Sequence, residues 1–144
     1  DMDRRKQSQM KLQALVQTRT ETLSLLAELA GSQPFSPDPA IEDTLRRFCQ
    51  ALMDYAASAH FQLYRYIADN RERRQSVIDV AEKIYPRIVE TTDVILRFND
   101  KYESMSVENS VEFLDVDLSS LGETLAERIQ LEDQVISAMG GAVH

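Results

Sequence analysis

Apolar residues recur at intervals of three and four along four long stretches, a period that commits the chain to amphipathic helices. The first stretch carries Leu12, Leu15, Val16, Leu23, Leu26 and Leu29, and the second Ile41, Leu45, Phe48, Leu52, Tyr55, Ala56, Ala59 and Leu63. The third carries Val77, Val80, Ala81, Ile84, Ile88, Ile95 and Phe98, and the fourth Val111, Leu114, Leu118, Leu121, Leu125, Ile129 and Ile136. Helices of about 25–30 residues would each run about 40 Å at 1.5 Å per residue. Four of them with short connections predict an all-α, antiparallel up-down four-helix bundle, one domain over residues 1–144.

Three breaks separate the stretches. The loop 31–39 holds three of the four prolines. It closes on a helix start, with Asp38 as N-cap, Pro39 at the first helical position and Glu42 and Asp43 in the first turn. Gly31 stands where a C-cap glycine would. The polar run 69–75 is the second break, and 103–106 the third, with Ser106 as the candidate N-cap. Pro86 should kink or divide the third helix, and the weaker helix formers of 115–122 should bend the fourth.

Composition excludes several functions. Sixteen basic against 24 acidic residues give a net charge of −8, which disfavours nonspecific binding to nucleic acid or anionic membrane. The single cysteine, Cys49, cannot form an internal disulfide, and a reducing cytoplasm is expected. No apolar run approaches the ~18 residues of a membrane span, and the first residues lack the apolar core of a secretory signal. The four glycines form no phosphate-cradling pattern. Of the two histidines, neither belongs to a Glu-x-x-His or Cys-x-x-Cys-His unit. Cys49 and His60, eleven residues apart on one helix, would stand about 16 Å from each other, too far for a nucleophile–base pair. No catalysis, no cofactor and no metal are expected.

Two polar features stand out. Residues 75–144 hold 14 acids against 5 bases, whereas 1–74 hold 10 against 11, so an acidic surface could await a basic partner or simply be a solvated helix face. In the fourth helix the apolar seam Leu118, Leu121, Leu125 runs on into Arg128 and Glu132 before Ile136. One reading is an i,i+4 pair at the edge of the core. The other is a buried network of Arg128, Glu132 and Asp133 that reaches Tyr55 or His60.

The second helix has an informative outer face. Counting 100° per residue from Leu52 as the core direction puts Phe61 at about 180°, Asp54 at about 200°, Ala57 at about 140° and Gln50 at about 160°. Ser58 and Arg65 fall near 240° and 220° by the same count. An aromatic anchor among small residues (Ala51, Ala57, Ser58), with the acid Asp54 on the same face, has the makings of an interaction hot spot. A covering helix or a homodimer mate over Phe61 is the plainer account.

The residues 48–55, Phe-Cys-Gln-Ala-Leu-Met-Asp-Tyr, followed by Ser58-Ala-His-Phe61 and Tyr64, resemble the signature segment of the Rsd/AlgQ family. The likeness continues at Ile84-Tyr-Pro86 and at Gly122-Glu123, Leu125, Arg128 and Leu131-Glu-Asp133. It implies a helical bundle that binds region 4 of the primary sigma factor. Such binding would keep sigma from core RNA polymerase and the −35 promoter element, a regulation of transcription with no direct contact to nucleic acid or membrane. The family's sigma-binding acid, small polar residue and aromatic fall on Asp54, Ala57 and Phe61, with Ser58, Gln50 and Arg65 beside them. The family's hydroxyl is Ala57 here, and its charged-tryptophan motif in the first helix is replaced by Gln13-Ala-Leu15. The alternative reading is a histidine phosphotransfer domain using His60, although the glycine that usually follows such a histidine is absent.

Overall fold

The computed structural model describes residues 2–36, 38–65, 74–103 and 111–139, with side chains described except at 2–11, 62 and 63. Among these residues the chain is helical and holds no strand: α1 is Met2–Ala30, α2 Pro39–Ala59, α3 Gln75–Tyr102 and α4 Leu114–Ala138. A π-helical turn, His60–Tyr64, continues α2. The core is a single cluster to which all four helices contribute, with Leu15, Leu29, Phe48, Leu52, Tyr55, Ile95, Leu114, Leu121 and Leu125 at its centre.

The loop before α2 is built as its residues dictate. The Gly31 N–H bonds to the Ala27 carbonyl at 3.0 Å and closes α1. Asp38, in extended conformation, accepts a hydrogen bond from the Ala40 N–H at 2.9 Å, and Pro39 begins the helix without losing a donor it could use.

Four neighbouring pairs of helices hold the core together. Thr22 of α1 donates to the Ala51 carbonyl of α2 at 3.1 Å, and Arg47 lies 3.5 Å from Glu28. Phe48 of α2 packs edge-on against Phe98 of α3, ring centres 5.8 Å apart, and Tyr64 meets Tyr85 at 6.2 Å. Arg87 of α3 pairs with Glu127 of α4, and Lys101 with Asp117 at 2.6 Å. Arg19 of α1 reaches Asp133 of α4 at 2.9 Å, while Gln33, just past α1, donates to Asp115.

Several expectations need correction. Pro86 does not divide the third helix, which runs unbroken from 75 to 102. The carbonyl that loses its helical partner to the missing N–H is that of Glu82, and both residues lie on the exposed side of the helix. The fourth helix likewise runs as one element through 115–122, from Leu114 to Ala138. Ser106 and most of the break at 69–75 lie outside the described residues. In α1, Leu23 is exposed because Thr22, bonded across to α2, takes the seam position between Leu15 and Leu29. The π turn is the largest surprise. By α-helical count Tyr64 would fall about 120° from the core direction, but the turn absorbs one extra residue, with the Arg65 N–H bonding to the His60 carbonyl. Tyr64 is thereby set back by about one residue's rotation, roughly 100° in an α-helix, and is buried.

Candidate functional site

The outer strip of α2 exposes Gln50, Asp54, Ala57, Phe61 and Arg65. Phe61 is 55 % exposed, a high value for a phenylalanine in a chain with a formed core. Its ring is bracketed along the helix by its neighbours: the His60 ring sits edge-on at 4.9 Å, and the Arg65 guanidinium lies 5.8 Å from its centre. Two turns before, Asp54 accepts a hydrogen bond from the Gln50 amide at 3.0 Å, which orients its carboxylate without neutralising it.

Ser58 departs from the expected arrangement. It is 8 % exposed instead of facing outward, because α1 lies along that side of α2 and also covers Ala51 in part. Its hydroxyl is buried and has no hydrogen-bond partner among the described residues. The small residues at 51 and 58 therefore serve the approach of α1, and of the small ring around Phe61 only Ala57 stays exposed. Between the two helices runs an open groove of about 500 Å³, lined by Ala14, Gln17, Thr18 and Glu21 from α1 and by Asp54, Ala57, Ser58 and Phe61 from α2. The α1 residues were not singled out from the sequence. Their spacing of i, i+3, i+4 and i+7, a helical face free of large apolar residues, was the available signal.

The polar residues of α4 enter the core outright. Arg128 is 1 % exposed and Glu132 fully buried. The Tyr55 hydroxyl donates to Glu132 Oε1 at 2.6 Å, and Arg128 Nε donates to Oε2 at 3.1 Å. Arg128 Nη1 donates to Thr92 Oγ1 at 2.7 Å and to Thr91 Oγ1 at 3.2 Å, and the guanidinium stacks 5.4 Å from the Tyr55 ring centre. Arg19 joins from α1, 3.6 Å from Glu132 and 2.9 Å from the exposed Asp133. The cluster ties α1, α2, α3 and α4 at one level, which polar groups in a dry interior can do only when nearly all are satisfied. His60 is not part of it: its side chain is exposed at the protein's surface, against Phe61. Arg19, Thr91 and Thr92, all absent from the sequence expectation, take the place assigned to it.

Burial pushes the Tyr55 and Tyr64 hydroxyls far above the ordinary tyrosine range, with Glu132 adding to both. It also raises the Glu132 carboxyl, against the opposing pull of Arg128 and Tyr55. Tyr64 lies in the same electrostatic surroundings, yet its hydroxyl has no hydrogen-bond partner among the described residues. The Cys49 thiol is buried and pushed up to about 11, chiefly by burial and then by Glu103, so it stays protonated at neutral pH and is no nucleophile. Among the described residues no group of three or more His, Cys, Asp or Glu side chains is placed to hold a metal, and no helix is long and apolar enough to cross a membrane.

Residues 2–140 match the family model described as "Regulator of RNA polymerase sigma(70) subunit, Rsd/AlgQ". A protein of Yersinia enterocolitica named "Regulator of sigma D" is 36% identical over 101 residues, 68% of this chain and 60% of that protein. Proteins of the same name from Yersinia pseudotuberculosis and Salmonella paratyphi B are 32% and 33% identical; the alignments cover 82% and 72% of this chain, and 72% and 64% of theirs. The first of these relatives is thus matched over less than two thirds of its length. No solved structure gives a significant match.

Proposed function

The chain belongs to the Rsd/AlgQ family, and on that premise we propose that it is an anti-sigma factor that binds region 4 of the primary sigma factor. Its mechanism is sequestration: a sigma region held here is withheld from core RNA polymerase and from the −35 element. It acts in the cytoplasm as a binding protein and performs no chemistry. The observation that carries this reading is the exposed Phe61, on one outer strip with the small Ala57 and, two turns back, the oriented Asp54. An aromatic anchor with an acid two turns along the same strip suits a basic, helical partner, and the net charge of −8 adds long-range attraction that raises the association rate.

The same reading takes the four helices as an antiparallel up-down bundle in one domain. It is supported by the contacts between adjoining helices, which run in opposite chain order: Thr22–Ala51 and Glu28–Arg47, Phe48–Phe98 and Tyr64–Tyr85, Arg87–Glu127 and Lys101–Asp117.

Calorimetric titration with purified region 4 of the host's primary sigma factor tests the proposal. Saturable one-to-one binding is expected, and Phe61→Ala should weaken it about 30-fold, the equivalent of a hot spot of about 2 kcal/mol. Because Phe61 is exposed, the variant's melting temperature should stay near that of the wild type. Binding that is indifferent to both Phe61→Ala and Asp54→Ala would move the site off α2.

A further inference from the structure

A site confined to α2 leaves one wall of the groove unexplained. Ala14, Gln17, Thr18 and Glu21 stand at i, i+3, i+4 and i+7, and Asp54, Ala57, Ser58 and Phe61 repeat that spacing, so one strip of each helix borders the same furrow. Thr22 meets Ala51, while Glu28, farther along α1, meets Arg47, earlier on α2. This opposite order sets Glu21 nearly level with Asp54 at one end and Ala14 nearly level with Phe61 at the other. The furrow is therefore acidic at one end, apolar at the other and narrow-sided between.

Its chemistry is one-sided. The eight lining residues include two carboxylates and no basic group. Glu21 makes no hydrogen bond or ion pair among the described residues, and Asp54 is held by a neutral amide. The Ser58 hydroxyl, in the lining of the groove and more than nine-tenths buried, has no partner among the described residues, a cost to the free protein that a docked polar group would remove.

Resting on the sigma-binding reading above, we infer that the partner docks as a helix along this furrow. An Arg or Lys of that helix lies between Glu21 and Asp54, an apolar side chain sits on Phe61 and Ala14, and a polar group meets Ser58. The site is two-walled, and α1, which lacks the family's tryptophan motif, helps to select the partner through Glu21.

The test is a parallel titration of region 4 of the primary sigma factor into the wild type, Glu21→Lys, Ser58→Ala and Asp54→Ala, with a melting curve for each. Glu21→Lys should weaken binding about tenfold or more, mainly through a slower association that is most evident at low salt. Ser58→Ala should weaken binding severalfold with an unchanged or higher melting temperature, since it deletes an unpaired buried hydroxyl; a merely structural serine would give a lower one. Wild-type affinity in Glu21→Lys and Ser58→Ala beside a defective Asp54→Ala overturns the two-walled groove and leaves a one-helix site. No binding even by the wild type overturns the groove together with the sigma reading.

Discussion

Replacing Arg128 with methionine should expose how much the fold depends on its buried polar cluster. The guanidinium is 1 % exposed and holds Glu132 and the hydroxyls of Thr91 and Thr92. The threonines lose little, because both still donate to the Ile88 carbonyl, at 2.7 and 2.9 Å. The cost falls on Glu132, a fully buried carboxylate left with the Tyr55 hydroxyl at 2.6 Å and with Arg19 at 3.6 Å. Breaking a buried pair typically costs about 3–5 kcal/mol, and the two remaining partners put this case near 3. That corresponds to a fall of roughly 6–12 °C in Tm for a chain of this length. Urea unfolding followed by circular dichroism, at unchanged slope, measures it. The double variant Arg128→Met/Glu132→Leu removes the stranded charge and should come back to within about 1 kcal/mol of the wild type or exceed it. A single variant within about 1 kcal/mol of the wild type, or a double variant as unstable as the single, would refute the reasoning.

Further outcomes follow from the same contacts. Tyr64→Phe deletes a buried hydroxyl without a partner and should be neutral or stabilising in urea, whereas Tyr55→Phe strips Glu132 of a bond and should cost about 1–3 kcal/mol. Cys49, buried with its thiol raised to about 11, should resist a thiol reagent at pH 8 and react only as the protein unfolds; rapid labelling of the native state would contradict its placement. Burial works against ionisation of Asp117, but hydrogen bonds from Lys101 and Tyr102 outweigh it and hold the carboxyl below its ordinary value. A folded value below the unfolded one stabilises the protein above the ordinary carboxylate range, and the gain is lost as pH falls through the depressed value. Asp117→Asn should therefore flatten the acid limb of a stability–pH curve slightly, the effect being small because the pair is partly solvated.

The sequence carried the helices because an apolar period is a local property, and the Asp38-Pro39 start because capping is settled within a few residues. It misplaced features that depend on which helix lies beside which. Ser58 reads as outward on a lone α2 and is buried because α1 covers that side. Leu23 reads as core by period and is displaced by Thr22, whose bond to Ala51 no periodicity announces. The Arg128–Glu132 pair was visible as an interruption of the seam, but its partners Arg19, Thr91 and Thr92 come from other helices, and only the fold brings them together. The π turn has no sequence signal of this kind, yet it decides that Tyr64 points inward. The outer strip was legible because Phe61 and Asp54 lie opposite the core by simple angular count, and no neighbouring helix intervenes there.

Competition for sigma tests the central claim most directly. Labelled primary sigma factor bound to core RNA polymerase is titrated with this protein, and the fraction of sigma still on core is measured. The account requires that fraction to fall with rising protein, at a midpoint that moves to higher concentration as core is added, and that Phe61→Ala lose the effect. A sigma–core complex that stays intact at tens of micromolar protein, or one displaced equally well by Phe61→Ala, would contradict it.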